Sequence, residues 1–324
     1  MTDIKLQSYC EMKLDYTLKS RPPRTPTNRP PSSQPSPSRN LLDSPRNRGI
    51  ELHKKRKLEL GLEDYEQIQV TTAEDRLVLN LVILYRQLKD FHQKGILREL
   101  PIYGRIGNMV LSGYIDELRF DSSTNTVLIS ELKTCDERKK SPKKVQKDNR
   151  LQVALYTNLL TNLSNIDIQL ICARGTTVEV DGTKDIPRNM LSHCPYYGVR
   201  TPYELVNPIK QLPQVEVSYL QVEYVHAKMT DGTLSEQPIE KQNVRYDEKW
   251  LLEIISYFEP YWFNERPPRG ISDIEDFYEK CNKCDYKNIC TRRREILDSN
   301  EGFGYQSQLP STSRSVVRDL TREF

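Results

Sequence analysis

The chain lacks any long apolar run. Nothing in its 324 residues approaches the roughly 18 apolar residues in a row that a membrane-spanning helix needs. The longest candidate, Leu77 to Leu88, is interrupted by Asn80, Arg86 and Gln87. A secretory pattern is missing at the N-terminus, and Asp3 and Glu11 do not suit a transit peptide. The expectation is a soluble protein of the cell interior with no membrane partner; the sequence does not choose between mitochondrion and nucleus. Apolar residues are scarce at 36%, so part of the length is expected to be loop, linker or tail. A large net charge is also absent. The balance of +3 selects no partner by itself. No internal repeat is visible, which argues against a solenoid. Seven cysteines are an odd number, and disulfides are disfavoured inside the cell. They are expected as buried apolar residues or as metal ligands.

Charge is concentrated locally. Residues 19–48 carry Lys19, Arg21, Arg24, Arg29, Arg39, Arg46 and Arg48 against Asp43 alone. Further basic runs cover Arg138 to Lys147 and Arg292 to Arg294. Such runs suit phosphate contacts, and equally a solvated surface. The stretch from Arg21 to Ser38 is rich in Pro, Ser and Arg without periodicity, as in a flexible insertion.

The remaining pattern predicts a mixed α/β layered domain, a sheet flanked by helices. A short N-terminal helix follows Thr2 and Asp3, and a charged helix runs from Gly49 through Leu60. Thr71 and Glu74 match a capping box ahead of an apolar stripe of Leu77, Leu81, Leu84, Leu88 and Phe91, closed by Gly95. Residues 98–106, 109–120 and 127–134 read as strands, with a turn over 121–126. A helix is expected over 147–163, strands at 167–173 and 215–227, and a helix over 247–262. The four segments are 1–20, an N-terminal helix; 21–48, the insertion; 49–297, the main domain; and 298–324, a disordered tail.

The chemistry concentrates on two adjacent strands. One carries Gly113-Tyr114-Ile115-Asp116-Glu117-Leu118 and the next Ser130-Glu131-Leu132-Lys133-Thr134. Alternation puts Glu131 and Lys133 on one face, and the turn folds that strand beside Asp116. Asp116 and Glu131 can hold a hard divalent cation such as Mg²⁺, with the Leu132 carbonyl as a further ligand. Lys133 can orient water and offset charge on a phosphate. The plain alternative is an exposed Glu131–Lys133 salt bridge.

Cys281, Cys284 and Cys290 form a CxxC-x5-C pattern with no histidine close downstream. Three thiols at this spacing point to a metal that needs a fourth ligand. Cys10 is the first candidate. Cys135 lies too near the catalytic strand, Cys172 reads as a buried strand residue, and Cys194 remains open. Spacing does not choose between zinc and iron–sulfur.

The pattern Ile115-Asp116…Glu131-x-Lys133 resembles the PD-(D/E)xK nucleases. Gly49-Ile50-Glu51-Leu52-His53 and Gln152-Val153-Ala154-Leu155-Tyr156 are similar to the RecB-type branch. There the histidine completes the metal site, and the glutamine and tyrosine line it. One cysteine before these motifs and three after them resembles the exonuclease V family, as do Tyr9-Cys10-Glu11 and Glu265 to Gly270. The resemblance covers nearly all of residues 1–295 except the insertion. It implies a PD-(D/E)xK core whose terminal segments are tied by a 4Fe–4S cluster on Cys10, Cys281, Cys284 and Cys290. It also implies Mg²⁺ (or Mn²⁺) at His53, Asp116 and Glu131, with Lys133, Gln152 and Tyr156 completing the catalytic set. The implied activity is single-strand-specific DNA exonuclease, 5′ to 3′, in DNA maintenance or repair. The expected protein is a monomer acting on single-stranded DNA, with a single-strand DNA-binding protein as partner. The alternatives are a CRISPR-associated or endonucleolytic RecB-type DNase, and a non-catalytic nucleic-acid-binding protein with a structural metal site.

Overall fold

The computed structural model describes residues 2–20, 45–59, 68, 70, 72–135, 147–167, 171, 183, 185–186, 200–212, 216–226, 238–272 and 276–301. The chain divides into two compact units. One comprises residues 25–252, the other residues 2–24 with 253–324.

The first unit is a mixed α/β layer structure. Helix α3 (Pro45–Leu58) is followed by α4 (Ala73–Lys89) and the single turn α5 (Phe91–Lys94). Strands β1 (Ile96–Ile106), β2 (Met109–Asp121) and β3 (Thr126–Cys135) come next, then α6 (Lys147–Thr161). Helix α7 (Pro202–Lys210), β4 (Val217–His226) and β5 (Pro238–Val244) complete it, with the start of α8 (Glu248–Trp262). The sheet order is β1-β2-β3-β4-β5. All neighbours are antiparallel except β3 and β4, which run parallel. That parallel pair needs a crossover, and α6 lies within it.

Helix α4 forms because its apolar residues recur every three or four positions. Leu77, Leu81, Leu84 and Leu88 are all buried, as is Phe91 beyond them. Gly95 ends the segment at φ +69°, the left-handed conformation that glycine adopts without steric cost. The capping box differs from the expected one by a residue. The N-cap is Thr72, whose hydroxyl accepts the Asp75 N–H at 3.0 Å while Asp75 accepts the Thr72 N–H at 2.9 Å. Two threonines stand side by side, and the reciprocal bond from Asp75 selects the second.

Two elements were not expected. Helix α7 starts at Thr201 with its own capping box to Glu204 and Pro202 in the first turn. Among the described residues strand β5 pairs only with β4, and its residues alternate between half-buried and exposed, so it carries little apolar signal. Its leading Pro238 and its Lys241 suit a sheet edge. The expected strand at 167–173 lies mostly outside the described residues. Ile171 there donates its N–H to the Asp167 carbonyl at 3.0 Å, a helical step.

Strands β2 and β3 share only part of their length. β2 pairs with β1 from Met109 to Arg119, but with β3 only from Glu117 to Asp121. From Glu131 to Cys135, β3 pairs with β4 instead. The two strands therefore part at Asp116 and Glu131. Helix α3 packs on β3 at this fork. A Cβ on Gly49 would sit 3.1 Å from the Thr134 hydroxyl, and Leu52 is buried with Leu132 and Val225.

The second unit contains α1 (Thr2–Tyr9), α2 (Glu11–Ser20), the rest of α8, a π-helical turn at Phe277–Cys281, and α9 (Thr291–Glu301). The expected tail from 298 begins inside α9, and residues beyond 301 lie outside the described set. Buried Glu11 joins its two chain segments. It accepts both Arg266 guanidinium nitrogens at 2.5 and 2.7 Å and the Arg269 N–H at 2.8 Å. A two-pronged arginine–carboxylate pair of this kind is strong because both bonds are charge-assisted. Trp262 Nε1 donates to Gln7 at 2.6 Å beside it.

Candidate active site

The fork leaves backbone groups without a strand partner, and a side chain fills one gap. Asp116 Oδ2 accepts the Leu132 N–H at 2.8 Å. That bond anchors the carboxylate between the parting strands. On its other side, His53 of α3 places Nδ1 3.9 Å from Asp116 Oδ1 and 2.6 Å from Glu99 Oε1. One ligand atom from each of His53, Glu99 and Asp116 lies within 4.8 Å of the others.

A second group continues along β3 into α6. Buried Glu131 is bonded to Lys133 Nζ, which also donates to Gln152 Oε1 at 3.2 Å. Gln152 Nε2 donates to the Tyr156 hydroxyl at 2.9 Å. Gln152 and Tyr156 are one helical turn apart on α6 and so reach the same place. All six residues expected at the catalytic centre, His53, Asp116, Glu131, Lys133, Gln152 and Tyr156, are thus gathered at the fork.

Electrostatics tie the two groups together. Burial pushes Asp116 above the ordinary carboxylate range, against the pull of His53 and Lys133. Burial opposes charge on His53, yet the Glu99 hydrogen bond and the Asp116 carboxylate hold its pKa above the usual value. Burial drives Tyr156 well above the ordinary phenol range, and the Glu131 and Asp116 charges add to this. Tyr156 is therefore a hydrogen-bond donor, not a base.

Glu99 was not singled out from the sequence. It sits in Leu97-Arg98-Glu99-Leu100, with no motif around it. The one signal is a pair of consecutive charges in an otherwise largely apolar strand. Structure reveals more. Arg98 pairs with Glu117 and Leu100 with Ile115, which sets Glu99 opposite Asp116. Glu99 also has φ +50°, a left-handed conformation uncommon for a glutamate.

The fit to a divalent cation is good. Three carboxylates against one lysine leave two negative charges when His53 is neutral. Buried charge in excess is costly unless compensated. An oxygen-rich set with one imidazole suits a hard or borderline divalent ion.

The cysteines occupy the second unit. Cys10 lies between α1 and α2, Cys281 ends the π-helical turn, and Cys290 precedes α9. Burial pushes the Cys10 thiol up, against backbone N–H bonds from Lys13 and Met12 and with repulsion from Cys290 and Cys284. Cys281 is pushed up to about 11 by burial, with Cys10, Cys290 and Cys284 adding to it. The four thiols therefore feel one another. Cys135 lies in the first unit, its thiol 3.4 Å from the Val225 carbonyl. Cys172 and Cys194 lie outside the described residues.

Comparison with known proteins identifies the family. The family model for exonuclease V, a 5′ deoxyribonuclease, matches residues 1–126 and 200–293, well over half of the chain. The chain belongs to the exonuclease V family. It is a DNA exonuclease by that membership. The matched segments hold His53, Glu99, Asp116 and the cysteines at 10, 281, 284 and 290. Glu131, Lys133, Gln152 and Tyr156 lie between them and rest on geometry. Exonuclease V of Danio rerio is 27% identical over 300 residues, spanning 89% of this chain and 68% of that protein. The crystal structure of SSO0001 aligns with 75% of this chain and 96% of its own at 13% identity and a TM-score of 0.29, too low to carry an argument. Among the described residues, no helix is long and apolar enough to cross a membrane.

Proposed function

We propose that this member of the exonuclease V family is a metal-dependent, single-strand-specific exonuclease that degrades DNA from the 5′ end. The fork between β2 and β3 carries the reading, because it brings Asp116 beside the Glu131–Lys133–Gln152 chain. That gathering supports the reading of a RecB-type PD-(D/E)xK core. Asp116, Glu131 and His53 would hold Mg²⁺ or Mn²⁺. The bound ion would polarise the scissile phosphate and make water acidic enough to attack near neutral pH. Lys133 orients the attacking water and offsets charge on the phosphate oxygens. Gln152 fixes Lys133 and donates to the Tyr156 hydroxyl, which, kept protonated by burial, has its own O–H to donate to the substrate.

In the second unit, Cys10, Cys281, Cys284 and Cys290 would hold a 4Fe–4S cluster. The order of one cysteine before the nuclease motifs and three after them, which resembles the exonuclease V family, favours the cluster over zinc.

The test is a Mg²⁺-dependent assay on 5′- and 3′-labelled single strands, with end-blocked, circular and duplex controls. Short products released first from the 5′ label, with circles and duplex intact, support the reading. Cleavage of circles would make the enzyme an endonuclease, and first release from the 3′ label would reverse the polarity.

A further inference from the structure

We propose that Glu99 is a positioning residue for the catalytic metal site, acting through His53. The inference rests on the reading of His53 as a metal ligand. A histidine that binds a metal through one ring nitrogen commonly donates from the other to a carboxylate. Here Nδ1 lies 2.6 Å from Glu99 Oε1, a full hydrogen bond, and 3.9 Å from Asp116 Oδ1, which is too far for one. Glu99 therefore holds the ring. A bond from Nδ1 to a carboxylate needs the proton on Nδ1, which leaves the lone pair that can meet an ion on Nε2. Asp116 keeps Oδ1 for the same ion, because its Oδ2 takes the Leu132 N–H.

The backbone is shaped to this end. Glu99 stands opposite Asp116 in the β1–β2 register, between the pairs Arg98–Glu117 and Leu100–Ile115. Its φ of +50° breaks the regular strand at one residue. A glycine would take that conformation without steric cost. A glutamate held there by its surroundings is the kind of local strain found at functional sites.

This combination supplies a test that separates positioning from structural support. Manganese binding is measured on the full-length protein by electron paramagnetic resonance or calorimetry, with thermal melts alongside. Glu99→Gly removes the carboxylate and suits the backbone. It is expected to melt within a few degrees of the wild type yet to bind Mn²⁺ about 10- to 100-fold more weakly. Glu99→Gln, which can still accept the Nδ1–H bond, is expected to keep most of the affinity. In a His53→Ala background, Glu99→Gly is expected to cause no further loss. A loss in that background equal to the loss in the wild type would mean that Glu99 binds the ion itself, and would overturn the proposal. Unchanged Mn²⁺ affinity in Glu99→Gly would overturn it as well. His53→Ala binding Mn²⁺ like the wild type would instead sink the assignment of His53 as a ligand.

Discussion

A buried carboxylate keeps its charge only where positive charge or hydrogen bonds answer it. Asp116 draws such contacts from Leu132 N–H, His53 and Lys133, though burial still outweighs them, and Glu131 is bonded to Lys133. On the proposed mechanism, replacing Asp116 or Lys133 by alanine removes a charge that the reaction needs, and it also takes a partner from the Leu132 N–H or from buried Glu131, so each variant is assayed at a temperature where it is folded. Each variant is expected to lose at least about a hundredfold in cleavage rate, the scale of one lost preorganised charge contact. Near-wild-type cleavage by either variant, with circular dichroism unchanged, would refute the mechanism. A second residue-scale prediction concerns Tyr103 on β1. Burial pushes its phenol up to about 12, against the hydrogen bond with Asn80. The unfolded phenol titrates near pH 10. Between these values the unfolded chain loses a proton that the fold keeps. Stability is therefore complete below about pH 10 and falls toward pH 12, by up to about 3 kcal/mol. Urea unfolding across that range should show a shallower loss in Tyr103→Phe, and an identical slope would remove Tyr103 as the cause. At this scale two-residue spacing puts Glu131 and Lys133 on one face and four-residue spacing does the same for Gln152 and Tyr156, while the motif resemblance singled these residues out together with Asp116. Glu99 was not singled out, because nothing local marks a residue whose importance lies in the strand opposite.

At the scale of elements, α4 and the β1–β2–β3 meander were readable from apolar periodicity and the turn at 121–126. The capping box was displaced by one residue, since Thr71 and Thr72 offer the same hydroxyl. Thr72→Ala is expected to destabilise the fold by about 1 kcal/mol, or roughly 2–4 °C in Tm. An unchanged melt would show that the cap contributes nothing. Gly104 makes a second case. A Cβ there would fall 2.8 Å from Leu159 Cδ2, so β1 and α6 approach closely. Gly104→Ala should displace Leu159 and lower Tm, and a higher Tm would show that the pocket absorbs the methyl group. Strand β5 and helix α7 escaped the sequence for different reasons. β5 is an edge strand whose stability comes from backbone pairing with β4, not from its side chains. α7 is announced by Thr201 and Glu204, but it is short and carries Pro208 within it.

At the scale of the whole molecule, the second unit contains both Cys10 and the Cys281–Cys290 segment, and their thiols repel one another electrostatically. Glu11, Arg266, Gln7 and Trp262 draw the distant chain segments together. Cys10→Ser is expected to lose iron and acid-labile sulfide from the purified protein. Full retention of iron would transfer the fourth ligand to Cys194. Local sequence determined the helices with strong periodicity, the hairpin and the chemistry of its carboxylates and lysine, because each depends on neighbours within a few residues. Family resemblance followed from the order of those motifs. Tertiary structure alone decided that β2 and β3 part at Asp116, that α3 brings His53 to the gap, and that Glu99 holds the imidazole. Those outcomes depend on pairings between residues tens of positions apart, and no spacing along the chain encodes them.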